Sequence, residues 1–299
     1  MSNISDQTGR AFEYVIVKEL AMLPGVSLTD RAKVAQLRDK PKFESLEDSR
    51  REELSLASRA LVRTLCAPPF TIGNSIIDRL QDNEAIAGDV TDIRIQSSGS
   101  RPPINLSVKN NHFALKHQRP PSLMQQLGFV KGGQVDIEYR RKLNKIFQSF
   151  YSAANHLCPN AKLFSDLKNV DDLFIDRCLY APVCDLVSSV LKMKLCDSNT
   201  CKTFFRFLVG YTDYVKVVLH QGRLEFTNFS QIVIPTSCIV QYTPASPNYI
   251  FLTFDNNWKI SMRLHTANSK LGKTSGTPSV KFDTQPLRMP LVHSCLQCR

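Results

Sequence analysis

The chain has 299 residues, 42% of them apolar, and its 38 Lys and Arg against 27 Asp and Glu give a formal net charge of +11. A charged fraction of 22% with that apolar content excludes a disordered basic tail and predicts a packed core. The absence of any run of 18 apolar residues argues against a membrane-spanning helix, and the positive surplus points to an anionic partner, nucleic acid first.

Met1 to Asp6 shows no basic region followed by an apolar run, so an intracellular, cytoplasmic location is expected. Residues 9–20, GRAFEYVIVKEL, predict an amphipathic helix with Phe12, Ile16 and Leu20 on one stripe, Val17 beside it and Thr8 as cap. A second, charge-rich helix is expected over 46–65, before Pro68 and Pro69, and a shorter one over 72–83. The pattern then changes to period two. Asp92 to Gln96 and Ile104 to Lys109 alternate as strands, and the Ser, Gly and Pro between them have turn composition.

Residues 111–134 predict a helical turn and then a loop, 135–157 a long helix bearing Arg140, Arg141, Lys142 and Lys145, and 171–195 a further helical stretch. From about 204 the chain reads as β, with short strands at 214–219, 224–229, 231–234, 250–254 and 259–264. A Ser, Thr, Gly and Lys-rich surface loop follows at 266–279. The expectation is one α+β or α/β domain over 1–299, a core at about 1–200 and a β-rich region at 201–299, with no linker marking the boundary.

Nine cysteines, an odd number without a leader peptide, argue against a disulfide framework. Cys196-x4-Cys201 and Cys295-x2-Cys298 offer four thiolates to a zinc ion. The loose first spacing favours scattered free thiols instead.

The informative stretch runs from Gly88 to Arg119. Strand alternation points Ile104, Leu106 and Val108 one way and Asn105, Ser107 and Lys109 the other. Ile93 and Ile95 share the apolar side of the preceding strand, which leaves Asp92 on the polar side with Lys109. A carboxylate at the mouth of one strand holds a hard divalent cation, and a lysine on its neighbour adds positive charge where a phosphate develops negative charge. Asp89 is the competing acid and suits a turn. The arrangement resembles the PD-(D/E)xK nuclease core, with 17 residues from Asp92 to Lys109. Ser107 stands where that core has an acid, so a second carboxylate must come from elsewhere. Glu13, at the edge of the first helix's apolar stripe, is the candidate. Burying it unpaired is costly, and a metal or Lys109 would offset that cost. A surface i,i+4 pair near Lys18 is the plainer reading.

The next ten residues, Asn110 to Arg119, carry His112, Lys116, His117 and Arg119 with Asn110 and Asn111. On a helix His112, Lys116 and Arg119 share a face suited to phosphates and base edges. A solvated basic face is the alternative, and His112 and His117 also have the chemistry of zinc ligands.

GRAFEY at 9–14, GDVTDI at 88–93, SVKNNHFALKHQRP at 107–120, WKISMRLHTANSK at 258–270 and VKFD at 280–283 resemble the HaeIII family of type II restriction endonucleases, in the same order and over nearly the whole chain. The resemblance includes the serine of SVK. It implies an Mg2+-dependent endonuclease that cuts double-stranded DNA within GGCC to blunt ends, with a cognate DNA methyltransferase in the same system. It assigns Asp92 and Lys109 to the catalytic acid and lysine, Asp92 and Glu13 to the metal. Asn111, His112, Lys116, His117 and Arg119 become candidate DNA contacts, with Arg140, Arg141 and Lys145 as further basic candidates. Arg263, His265 and Lys281 line the DNA groove or form an exposed sheet edge, and Trp258 is core. A palindromic site suits a homodimer, though a monomer acting twice serves as well. The alternatives are a structure- or damage-directed repair nuclease of the same fold, and a non-catalytic zinc-stabilised DNA-binding module.

Overall fold

A computed structural model describes residues 4–80, 89–99, 101–272, 276–291 and 293–298. Met1 to Asn3, Gly88, the end of the helix expected over 72–83 and residues 273–275 of the expected 266–279 loop lie outside the described residues. The protein is a mixture of helices and two sheets that divides into two compact units. Unit 1 comprises residues 1–113, 210–232 and 291–299, and unit 2 comprises 114–209 and 233–290. Among the described residues no helix is long and apolar enough to cross a membrane.

Unit 1 opens with α1 (Ile4–Ala21), β1 (Val26–Leu28), α2 (Asp30–Glu44) and α3 (Asp48–Cys66). Phe12, Ile16, Val17 and Leu20 on α1 are fully buried, as their spacing requires. Each such side chain contributes about 1.5–3 kcal/mol on burial. Thr8 lies inside α1, so it is not the cap; the helix begins earlier, at Ile4. Helix α2 was not apparent in the sequence. Thr29 caps it by accepting from the Ala32 amide at 3.1 Å. Gly25, at φ 75°, turns the chain into β1 where the Asn74 side chain leaves no room for a Cβ.

The segment at 72–83, expected to be helical, instead contains the strand β2 (Ser75–Arg79). Ser75, Ile77 and Arg79 are buried while Ile76 is exposed, a period-two pattern that sheet pairing on both sides imposes. β3 (Ile93–Ser97) and β4 (Ile104–Asn110) are the expected alternating strands and pair antiparallel, Ile93 opposite Leu106 and Ile95 opposite Ile104. β5 (Val215–His220) runs parallel to β4, and β6 (Arg223–Asn228) and β11 (His293–Gln297) complete a seven-stranded sheet in the order β1-β2-β3-β4-β5-β6-β11. Parallel neighbours need a long crossover. Here the chain leaves unit 1 after Phe113 and returns at Gly210. Ile77, Ile93, Ile95, Leu106, Val108, Val215 and Val217 pack with the apolar stripes of α1 and α3 as the core.

Unit 2 holds α4 (Leu123–Gln126), α5 (Gln134–Leu157), α6 (Phe164–Val170), α7 (Ala181–Lys194) and α8 (Ser198–Val209). α8 extends past 204, where the sequence suggested β structure; Phe204, Phe205 and Leu208 bury its apolar face. The strand expected at 231–234 is not formed; β7 is Cys238–Gln241. With β8 (Tyr249–Phe254), β9 (Lys259–Thr266) and β10 (Val280–Arg288) it makes an antiparallel sheet ordered β10-β9-β8-β7. Trp258 is core, 5.4 Å edge-on to Phe205.

Candidate active site

Asp92 stands at the head of β3, where its amide donates to the Leu106 carbonyl at 2.8 Å. Its Oδ2 accepts from the Val108 amide at 2.7 Å and from Lys109 Nζ at 2.9 Å, with Ser107 Oγ at 3.5 Å. Oδ1 takes none of these bonds. Asp89 does the work of a turn residue: its Oδ1 accepts from the Thr91 amide at 3.0 Å and its Oδ2 pairs with Arg94 at 2.7 Å. Burial pulls the Lys109 ammonium down, but the charge and hydrogen bond of Asp92, with Glu13 behind, outweigh it and hold its pKa above the ordinary lysine value.

Glu13 is 6% exposed, so the surface-pair reading does not hold. Its direct ion-pair partner is not Lys109. Arg79, 2% exposed on β2, pairs with Glu13 Oε2, and Arg10 Nη1 joins it at 3.2 Å. Oε1 takes neither bond. Arg79 Nη2 also reaches Asp39 Oδ2 at 3.3 Å, and Arg38 and Lys42 hold Asp39 at 2.7 and 3.0 Å. Burial and then the charge of Asp92 push the Glu13 carboxyl above the usual carboxylate range, against the pull of Arg79, Arg10 and Lys109. Asp92 and Lys109 are therefore near enough to Glu13 to act on its ionisation. Arg79 was not singled out in the sequence, because its partners are remote; Glu13 is 66 residues away.

The donor set fits a divalent cation. Two carboxylates lie in one electrostatic neighbourhood, each with one oxygen held by cations or an amide and the other outside those bonds. Oxygen ligands of this kind suit hard ions.

The other candidates are distributed over both units. In unit 1, Asn111 has φ 53°, donates its amide to the Leu219 carbonyl at 2.8 Å and lies 3.0 Å from His220 through its side chain. His112 follows it, half-buried. Residues 111–119 form no helix, so His112, Lys116 and Arg119 do not share a helical face; Gln118 makes a β-bridge with Phe282 instead.

In unit 2, Lys116 lies 4.5 Å from the Phe207 ring centroid, and burial lowers its pKa. His117 Nδ1 meets Asp283 at 3.3 Å, and Arg119 is exposed. Arg140 is turned to Asp136 at 2.9 Å, while Arg141 and Lys145 lie on the exposed face of α5. Arg263 opposes Asp283 and His265 opposes Lys281 across β9 and β10, and burial lowers the His265 pKa. The cysteines are free thiols. Among the described residues no cysteine joins a group of three or more side chains able to hold a metal, so the four thiolates of Cys196, Cys201, Cys295 and Cys298 are not brought together as a zinc site.

A family model, that of the HaeIII restriction endonuclease, matches residues 9–228 and 222–290. The type II restriction enzyme HaeIII of Haemophilus aegyptius is 24% identical over an alignment covering 99% of this chain and 98% of its own. No solved structure matches. The match spans both units and includes Glu13, Asp92 and Lys109, so the chain belongs to the HaeIII restriction endonuclease family and is a type II site-specific endonuclease.

Proposed function

We propose that the chain hydrolyses phosphodiester bonds of double-stranded DNA with Mg2+, at a short palindrome, GGCC, leaving blunt ends. The carrying observation is the Asp92–Lys109 pair at 2.9 Å beside a buried Glu13. The β3–β4 pair, the parallel β5 and the flanking α1 are read as a PD-(D/E)xK core, with both units acting as one endonuclease domain. Asp92 and Glu13 would hold the cation, which supplies charge neutralisation at the phosphate and a more acidic water. Lys109 carries positive charge to where the phosphate becomes more negative. Arg79 and Arg10 fix the Glu13 carboxylate, and the Val108 amide fixes that of Asp92. The palindrome suits a homodimer, and a cognate methyltransferase would protect the host's own sites.

The test is incubation of plasmid DNA with the protein and Mg2+. Discrete fragments that vanish with EDTA, and resistance of GGCC-methylated DNA, are expected. Binding without cutting would overturn the reading, and scattered or damage-dependent cuts would favour a repair nuclease.

Two variants probe the assignment. Glu13→Gln keeps the shape but removes the charge, and is expected to lose roughly a hundredfold in cleavage rate. A normal rate would place the second acid elsewhere. Arg119→Ala, at an exposed position, is expected to weaken duplex binding and lower its salt slope by about one unit, measured by titration at several salt concentrations.

A further inference from the structure

Strand β5 reads VKVVLH, and its burial reaches through Lys216, which is 6% exposed. A lysine buried in an apolar strand is costly unless its ammonium has work to do. Lys216 is the register partner of Ser107 on β4. Ser107 stands beside Asp92, one step beyond the Ile93–Leu106 pair. Paired residues of neighbouring strands project from the same face. Lys216 therefore shares a face with Asp92, Ser107 and Lys109, one strand spacing of about 4.8 Å from Ser107. Electrostatics agrees with this placement. Burial brings the Lys216 pKa down to about 7, the charge of Lys109 adds to that fall and that of Asp92 opposes it.

The side chain also has a mechanical partner. Lys216 Nζ donates to the Phe113 carbonyl at 2.7 Å. That carbonyl closes the segment Asn110 to Phe113, which follows Lys109 directly. β5 grips the same segment again, through the Asn111 amide on the Leu219 carbonyl at 2.8 Å and through His220, 3.0 Å from the Asn111 side chain and 5.2 Å edge-on from the Phe113 ring. Arg50 of α3 bonds the Asn110 side chain. The exit of β4 is thus braced from the strand that carries the second lysine.

We propose that Lys216 is a positioning residue of the cleavage site. It fixes the chain leaving Lys109 through the Phe113 carbonyl, on the face that carries Asp92 and Lys109. The proposal rests on the nuclease reading above. It also accounts for a serine at 107: an acid there would stand next to Lys216 and draw its ammonium into a local ion pair.

The experiment measures single-turnover cleavage of a GGCC-bearing duplex by the whole chain and by Lys216→Met, Lys216→Gln and Lys216→Arg, with duplex affinity measured in EDTA and thermal unfolding of each. Lys216→Met removes both charge and tie, and is expected to cut about tenfold to a hundredfold more slowly with affinity within about twofold. Lys216→Gln retains a donor and Lys216→Arg retains the charge, so each recovers part of the rate. A residue needed only for stability would lower the unfolding temperature of Lys216→Met and leave the rate below that temperature unchanged, which overturns the proposal. Where Lys216→Met does not fold, wild-type rates in both other variants overturn it. A wild-type chain that never cuts overturns the nuclease reading and this proposal together; a wild-type chain that cuts, with Lys216 variants of equal rate, overturns this proposal alone.

Discussion

Asp92→Ala and Lys109→Ala are each expected to abolish detectable cleavage while duplex binding stays near the wild-type value. Asp92 Oδ2 gathers the Lys109 ammonium and the Val108 amide, so this carboxylate organises the β3–β4 mouth, and in the proposed mechanism Oδ1 is left for the cation. On the proposed mechanism, removing it takes away a ligand of the cation and the partner of Lys109 at once. Losing Lys109 removes the positive charge that the proposed mechanism places at the phosphate. Each loss acts on the transition state, where one preorganised donor is typically worth a factor of about 100–1,000 in rate. Losing the metal's ligand compounds it. Cleavage assays with Mg2+ beside binding assays in EDTA read the two quantities separately. Full activity in either variant rules out the assignment.

The largest expected effect on stability belongs to Arg79. Its guanidinium is 2% exposed and holds Glu13, also buried, and reaches Asp39. Arg79→Met leaves the Glu13 carboxylate with Arg10 alone among these partners, and is expected to cost about 3–5 kcal/mol, the usual effect of removing one member of a buried ion pair. The pH dependence has a definite sign. Glu13 already titrates above its ordinary value through burial and Asp92. Without Arg79 its folded pKa rises further above the unfolded one. A carboxyl with a raised folded pKa destabilises once the unfolded chain ionises, so the deficit grows as pH climbs from about 4 through the folded pKa. It shrinks again in acid. Denaturant unfolding of both proteins at pH 4 and pH 7 measures this; an equal deficit at both would show that Glu13 does not depend on Arg79.

The hairpin of β3 and β4 is legible because its signal is local. Ile93, Ile95, Leu106 and Val108 alternate within a few residues, and period two allows only one assignment of faces. The same alternation puts Asp92 with Lys109 and Ser107. The helix at 72–83 fails because a short segment of mixed apolar and charged residues carries no decisive period. Only its neighbours β1 and β3 make Ser75–Arg79 a strand. Helix α8 fails for the opposite reason: its aromatic residues also suit strands, and burial of Phe204, Phe205 and Leu208 decides for the helix.

Charge shows the same division. The surplus of +11 is a property of composition, and it points to an anionic partner without saying where the charge sits. Tertiary structure spends several of the cations on internal acids: Arg79 on Glu13, Arg140 on Asp136, Arg94 on Asp89. Lysine 216 is visible in the sequence only as an oddity in an apolar run. What marks it out is its register against Ser107, across a crossover that removes the chain to unit 2 between β4 and β5.

By itself the sequence determined the α+β character, the first helix's buried stripe, the β3–β4 pair and the shared polar face of Asp92 and Lys109. Periodicity and turn chemistry act over a few residues, and the order of residues alone displays them. Only the tertiary structure decided that Arg79 is the partner of Glu13, that residues 111–119 form no helix, and that Lys216 lies beside the site. Those are contacts between segments distant in the chain, chosen by which arrangement buries apolar surface and satisfies buried polar groups together, and no local pattern records that choice.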